Sequence, residues 1–296
     1  MNINSAYILE DRGILYISGV DAKDFLQNII TNDLNKVSDT NSCFSSLLTP
    51  QGKFLFEFLV TKHKEGYFLD CEKTQINDLF KQLSLYKLRS DVQILNLSNE
   101  FIVTALSYEK FKSIKGSEDK LGFTMKYIED SIFLDPRNKK LGARLVINLE
   151  KLNLSLEKLN LKSSKSEEYY NLSFELGIPQ KNTHKLKDKI FGLECNFEEL
   201  NAINFQKGCY VGQENTSRIK LRSKLRRRIL PIKKISGELF ENDIIKYKNV
   251  DIGKIMIDKP YPFALIKTVN PDLKELANSE LICGNSKVKI LKPDWI

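Results

Sequence analysis

One stretch of the chain decides how the rest is read: Asn204 to Arg228, NFQKGCYVGQENTSRIKLRSKLRRR. At its centre, Lys207-Gly208-Cys209-Tyr210-Val211-Gly212-Gln213-Glu214 sets a single thiol between a glycine and an aromatic ring. Glycine permits positive φ and close backbone approach. The two glycines bracketing Cys-Tyr-Val therefore predict a compact loop that leads into a helix near Gln213. Amides at a helix start, and Lys207 two residues before the thiol, favour negative charge at Cys209. A free cysteine is as often a small, buried apolar side chain. The residues alone leave both readings open. Beyond the loop, Arg218, Lys220, Arg222, Lys224 and Arg226 alternate with Ile219, Leu221, Ser223, Leu225 and Arg227. Period two predicts an extended strand with one cationic face. That face is either a solvated surface or a grip on phosphates or carboxylates. Aromatic residues are too sparse there for a single-strand stacking platform.

Several chemistries are disfavoured by scarcity. The only histidines are His63 and His184, so a Cys–His nucleophile has few possible partners. Cys43, Cys71, Cys195, Cys209 and Cys283 are odd in number and contain no Cys-x-x-Cys pair. That is a poor disulfide framework, it suits a reduced compartment, and it lacks zinc-ligand spacing, so no metal site is expected. No spacing of carboxylates marks an acid–base pair. Asp135-Pro136-Arg137 reads as a turn, because proline restricts the residue before it.

The chain has 296 residues, 42% of them hydrophobic and 28% charged, enough for a substantial core. A formal net charge of +8 suggests an anionic partner: nucleic acid, a polyglutamylated or phosphorylated small molecule, or an acidic protein face. The N-terminus carries no run resembling a secretion signal, and no segment reaches the roughly 20 apolar residues of a membrane span. The expectation is a soluble, cytoplasmic protein with no membrane partner.

Residues 6–20 predict two short strands about a turn at Asp11-Arg12-Gly13. Asp21 then starts a helix with Phe25, Leu26, Ile29 and Ile30 at helical spacing. Strand-rich and helical segments alternate irregularly to residue 179, with a helix over SEEYYNLSFEL stopped by Gly177 and Pro179. After Arg228 short strands and turns predict a small β-barrel or sandwich, with a boundary near Arg228–Pro231. The mixture of hairpins and helices is α+β rather than doubly wound.

Taken together these pieces resemble a known family. Lys207–Glu214 is similar to the Lys-Gly-Cys-Tyr-x-Gly-Gln-Glu motif of YgfZ-type folate-binding proteins, relatives of the glycine cleavage T protein. SGVDAKDFLQNIITNDL (18–34), LLTPQGKF (47–54), LYKLRSDVQI (85–94), DPRNKKLGAR (135–144) and Gly177-Ile178-Pro179 follow in the family's order. The resemblance implies an α+β, ring-like, three-part architecture with a small C-terminal β-barrel. Residues 1–228 would form a folate-binding region of two intertwined α+β lobes, and 229–296 the barrel domain. It also implies tetrahydrofolate or a derivative as cofactor, with Glu194 anchoring the pterin through paired contacts. Tyr169 stands where the family places an aromatic, and Arg12 where some members have tryptophan. Lys207, Tyr210, Gln213, Glu214 and Arg218 complete the expected folate-contact set, and Cys209 would be the functional thiol. Ser173 replaces a common arginine, and FGLECN lacks the usual proline. The implied role is support of iron–sulfur cluster assembly or repair, with iron–sulfur assembly proteins or client enzymes as partners and an influence on tRNA modification. The alternatives are a folate-dependent aminomethyl transferase and a tRNA-binding module.

Overall fold

The computed structural model describes residues 1–222 and 225–296. The fold mixes α-helices and β-strands and ends in a closed six-stranded barrel. The chain forms two compact units drawn across the sequence. One comprises Met1–Leu47, Phe56–Tyr169 and Leu200–Val211; the other comprises Leu48–Leu55, Tyr170–Glu199 and Gly212–Ile296. The division at residues 228 and 229 remains a proposal.

The first unit holds two sheets. A six-stranded sheet runs in the order Lys162–Ser164, Ser5–Ile8, Phe101–Leu106, Ala143–Asn148, Asp130–Leu134 and Thr124–Tyr127. A five-stranded sheet runs Cys43–Leu48, Phe54–His63, Gly66–Glu72, Arg12–Ser18 and Gln93–Asn96. The two expected N-terminal strands exist, but they do not pair as a hairpin. Ser5–Ile8 bonds to Phe101–Leu106, and Arg12–Ser18 bonds to Gly66–Glu72. The helix Ala22–Ile29 buries Ala22, Phe25, Leu26 and Ile29, the stripe its spacing predicts. Asp21 precedes it without a side-chain cap, because its carboxylate accepts the Asp91 amide at 2.8 Å instead.

In the second unit the barrel closes in the order Arg227–Ser236, Phe263–Lys267, Val250–Ile257, Ile244–Tyr247, Leu281–Cys283, Ser286–Ile290. Its interior is filled by side chains such as Leu230, Ile232, Ile245, Ile255, Ile266 and Val288. Ser286–Ile290 alternates buried and exposed residues along its length, the pattern of a half-buried strand. Closure leaves no unpaired edge.

The expected basic strand is corrected. Gln213–Leu221 is an α-helix, and the next strand begins only at Arg227. Ser223 and Lys224, part of that expectation, lie outside the described residues. A strand with an apolar face needs something to bury it against, and here that support is missing. Thr216 is the buried residue of the helix, whereas Leu221 is 82% exposed. Helical geometry also brings Glu214 and Arg218 within 3.1 Å as an i,i+4 pair.

Candidate functional site

The Cys209 loop is fixed from one side by an unusual anchor. Lys207 lies within the first unit, and its ammonium donates to the backbone carbonyls of Gln27 (2.6 Å), Ile30 (2.7 Å) and Asn32 (3.0 Å). These are the last carbonyls of the helix Ala22–Ile29 and the turn after it, groups a helix leaves without internal donors. A cation at a helix C-terminus is also favoured by the dipole. Burial pulls the Lys207 pKa down to about 8, with Asp33 and Cys43 acting in the opposite direction. All three ammonium protons are engaged in these bonds. The Tyr210 ring is buried beside the same lysine, 5.2 Å from its nitrogen.

The Thr-Asn-Asp segment laces the preceding residues down. Thr31 Oγ1 donates to Ala202 O (2.7 Å), Asn32 Nδ2 donates to Asn201 O (2.8 Å), and the Asn204 amide donates to Thr31 O (3.1 Å). A cavity of about 500 Å³ borders this segment, lined in part by Asn32, Cys43, Phe44, Asn201 and Asn204. Cys209 itself is exposed, whereas Cys43, Cys71, Cys195 and Cys283 are buried. Burial pushes the thiols of Cys43 and Cys71 up to about 12 and that of Cys283 up to about 11, so those three stay protonated at neutral pH. Cys209 is therefore the accessible thiol of the five.

Gly208 and Gly212 differ. A Cβ on Gly208 would meet nothing within 4 Å. Gly212 has φ +85°, and a Cβ there would lie 2.5 Å from the Thr49 carbonyl oxygen and 3.0 Å from Leu48 Cβ. The Thr49–Lys53 turn is thus the surface against which this glycine packs. Its Gln51 carbonyl accepts from Asn215 Nδ2 at 3.1 Å.

Also in the first unit is a buried charge network. Arg12 Nε contacts Asp70 Oδ1 at 2.6 Å, and Arg144 Nη1 holds Asp70 Oδ2. Arg137 grips Asp135 through Nε (2.9 Å) and Nη2 (2.6 Å), and Arg144 Nη2 donates to Tyr169 Oη at 3.0 Å. Burial alone would raise both aspartates; Arg12 and Arg144 at Asp70, and Arg137 and Arg144 at Asp135, outweigh it and hold them below the usual range. Arg12 Nη1 is buried without a hydrogen-bond partner among the described residues. Glu57 is buried near the same arginines, and its burial lifts the pKa to about 7 against their pull.

The sign of that shift gives a test. Unfolded, Glu57 loses its proton near 4.5; folded, near 7. The folded chain holds the extra proton between those values, so this contribution to stability is lost as pH rises through the window. Glu57→Gln removes the decline. Urea unfolding at pH 4.5 and pH 8 is expected to show the variant gaining about 3 kcal/mol on wild type between them.

In the second unit, Glu194 lies in the short helix Gly192–Cys195. Its Oε2 accepts the Phe191 amide at 2.9 Å and its Oε1 accepts Arg227 Nε at 2.8 Å. Each oxygen retains a lone pair. Gln213, Glu214 and Arg218 line one open groove along the helix Gln213–Leu221. The predicted site residues therefore form three groups: Arg12 with Tyr169, Lys207 with Cys209 and Tyr210, and Gln213 with Glu214 and Arg218, while Glu194 pairs with Arg227. Among the described residues, no group of three or more His, Cys, Asp or Glu side chains is arranged to hold a metal ion. No helix is long and apolar enough to cross a membrane.

Comparison with known proteins now bears on this geometry. The chain is 30% identical over 252 residues to "Iron-sulfur cluster assembly factor IBA57 homolog, mitochondrial" of Dictyostelium discoideum, covering 76% of this chain and 61% of that protein. The Neurospora crassa protein of the same description is 29% identical over 289 residues, covering 93% of this chain and 61% of the relative. "Iron-sulfur cluster assembly factor IBA57, mitochondrial" of Mus musculus is 25% identical over 246 residues, covering 77% and 66%. The chain thus spans about three fifths of the length of the first two curated relatives. No family model matches it. Among solved structures, glycine cleavage aminomethyltransferase T from Bartonella henselae superposes with a TM-score of 0.75, covering 99% of this chain and 86% of that one. At 12% identity that likeness shows the fold alone.

These relatives correct one expectation. They are described as mitochondrial proteins, which overturns the cytoplasmic assignment. Absence of a secretion signal is silent on import into an organelle. The sequence reading also missed Asp70, Arg144 and Glu57. Their signal was a lone charge inside an otherwise apolar strand, in FLDC, ARLVI and FEFLV.

Proposed function

We propose that this chain is a folate-linked accessory protein of iron–sulfur cluster assembly, of the YgfZ type, acting through the Cys209 thiol. The observation that supports this most is the exposure of Cys209, alone among five cysteines, on a loop fixed by Lys207. The curated relatives carry iron–sulfur assembly in their names. Assembly proteins and client enzymes are the partners this role requires, and mitochondria the proposed place of work. Any influence on tRNA modification would follow from cluster supply. The ring-like, three-part arrangement belongs to the same proposal.

The proposed seat of the folate head group is the first unit's polar interior. The unpartnered Nη1 of Arg12 calls for an acceptor, and the Glu57 carboxyl offers an acceptor, or a donor when protonated. A pterin edge carries both kinds of group. Arg12 and Glu57 would hold it, with Tyr169 on the Arg144 side, and bound folate would supply one-carbon chemistry. Glu194, Tyr210, Gln213, Glu214 and Arg218 stay in the proposed contact set; Lys207 would serve by positioning the loop. Calorimetric titration of the full chain with tetrahydrofolate is expected to show saturable binding, weakened at least ten-fold by Glu57→Ala. Equal binding by the variant would remove this interior as the site.

A further inference from the structure

The barrel unit carries a second feature that the proposed function does not use. A groove of about 810 Å³ is lined by Lys233, Lys274, Lys289 and Lys292, with Phe174 and Leu291 among its apolar residues. The four lysines are exposed, and none makes an ion pair among the described residues. Lys233 and Lys289 are direct cross-strand partners on Arg227–Ser236 and Ser286–Ile290. Like charges directly opposite one another on a sheet are destabilising. Glu175 is the one acid at the groove.

We infer that this groove binds an acidic segment of a partner protein, with an apolar side chain seated on the floor and carboxylates against the lysines. Three observations favour a peptide over nucleic acid. The lining contains no arginine to fork onto phosphates or base edges. Its one aromatic ring, Phe174, packs against Tyr261 and Phe263, with centroids 5.8 and 5.6 Å away, and a lone ring is no platform for successive bases. The groove has the size of a small-ligand or side-chain pocket, about 300–1,000 Å³. Charge complementarity therefore points to carboxylates on a partner with bulk to fill the floor. This inference is independent of folate and of Cys209.

The test uses the full chain and a fluorescein-labelled twelve-residue peptide repeating Glu-Glu-Leu, with labelled twelve-nucleotide oligouridylate as the rival probe. Fluorescence anisotropy is expected to show saturable peptide binding that weakens with salt. Binding is expected to fall at least ten-fold in Lys289→Glu and several-fold when leucine in the peptide becomes glycine. Lys289→Glu also turns the repulsive cross-strand pair into an attractive one, so its melting temperature is expected to rise by about 1–3 °C. Loss of binding in that variant is then distinct from unfolding. No saturable peptide binding overturns the proposal, as does equal binding by Lys289→Glu. Tighter oligouridylate binding, lost in the same variant, overturns it in favour of nucleic acid.

Discussion

Asp70→Ala is expected to lower stability by about 3–5 kcal/mol, measured as the loss of unfolding free energy in urea at pH 7. Asp70 is 2% exposed, and its two oxygens hold two different guanidiniums, those of Arg12 and Arg144. Removing the carboxylate strands both charges in an interior where neither reaches water. Arg144 is 1% exposed, and among its other partners are Tyr169 and, at 3.5 Å, Asp135. The loss is due to the orphaned charges, not to the intrinsic strength of the pairs, since replacing a whole buried ion cluster by apolar groups is often neutral. Asp70→Asn separates the two effects. It keeps one acceptor oxygen but no charge, and it is expected to recover only part of the loss. A loss below about 1 kcal/mol in Asp70→Ala would mean that the network is not the keystone of the first unit.

Lys207→Met is expected to lower stability by about 2–4 kcal/mol. Methionine retains the apolar stem but leaves the carbonyls of Gln27, Ile30 and Asn32 without their donor. A buried acceptor left unpaired costs about 1–3 kcal/mol. Relief of the buried ammonium offsets part of the sum. Lys207→Arg is not expected to rescue, because a planar guanidinium cannot aim three donors from one nitrogen at three carbonyls. Hydrogen exchange at residues 201–211 is expected to accelerate in both variants, because the loop loses its anchor at the helix end. Unchanged exchange there would show that the Thr31 and Asn32 bonds hold the loop alone.

Local patterns in the sequence carried much of the fold. The stripe Phe25, Leu26, Ile29 and the alternation in Ser286–Ile290 both matched burial, because each element has one face against a core. The run from Arg218 to Arg227 misled for the opposite reason. Gln213–Leu221 has scarcely any buried face, so its period-two pattern recorded charge placement and not packing. Glycine spacing marked the loop and the helix start at Gln213, while the exposure of Cys209 was left open by its neighbours in sequence. The site was illegible where distant residues meet. Nothing near Lys207 foretells that its ammonium caps a helix some 180 positions earlier. The Arg12–Asp70–Arg144 network arises from distant residues too: Arg12 and Asp70, 58 positions apart, lie on paired strands, and Arg144, 74 positions from Asp70, comes from the other sheet.

The central claim is that Cys209 is the functional group of an iron–sulfur assembly factor. In cells lacking the protein, activity of a mitochondrial iron–sulfur enzyme is measured after return of wild type or of Cys209→Ser. Cys209 is exposed, so the variant is expected to unfold at the same temperature as wild type. Wild type is expected to restore the enzyme activity and Cys209→Ser to leave it low. Full restoration by Cys209→Ser would contradict the role assigned to the thiol.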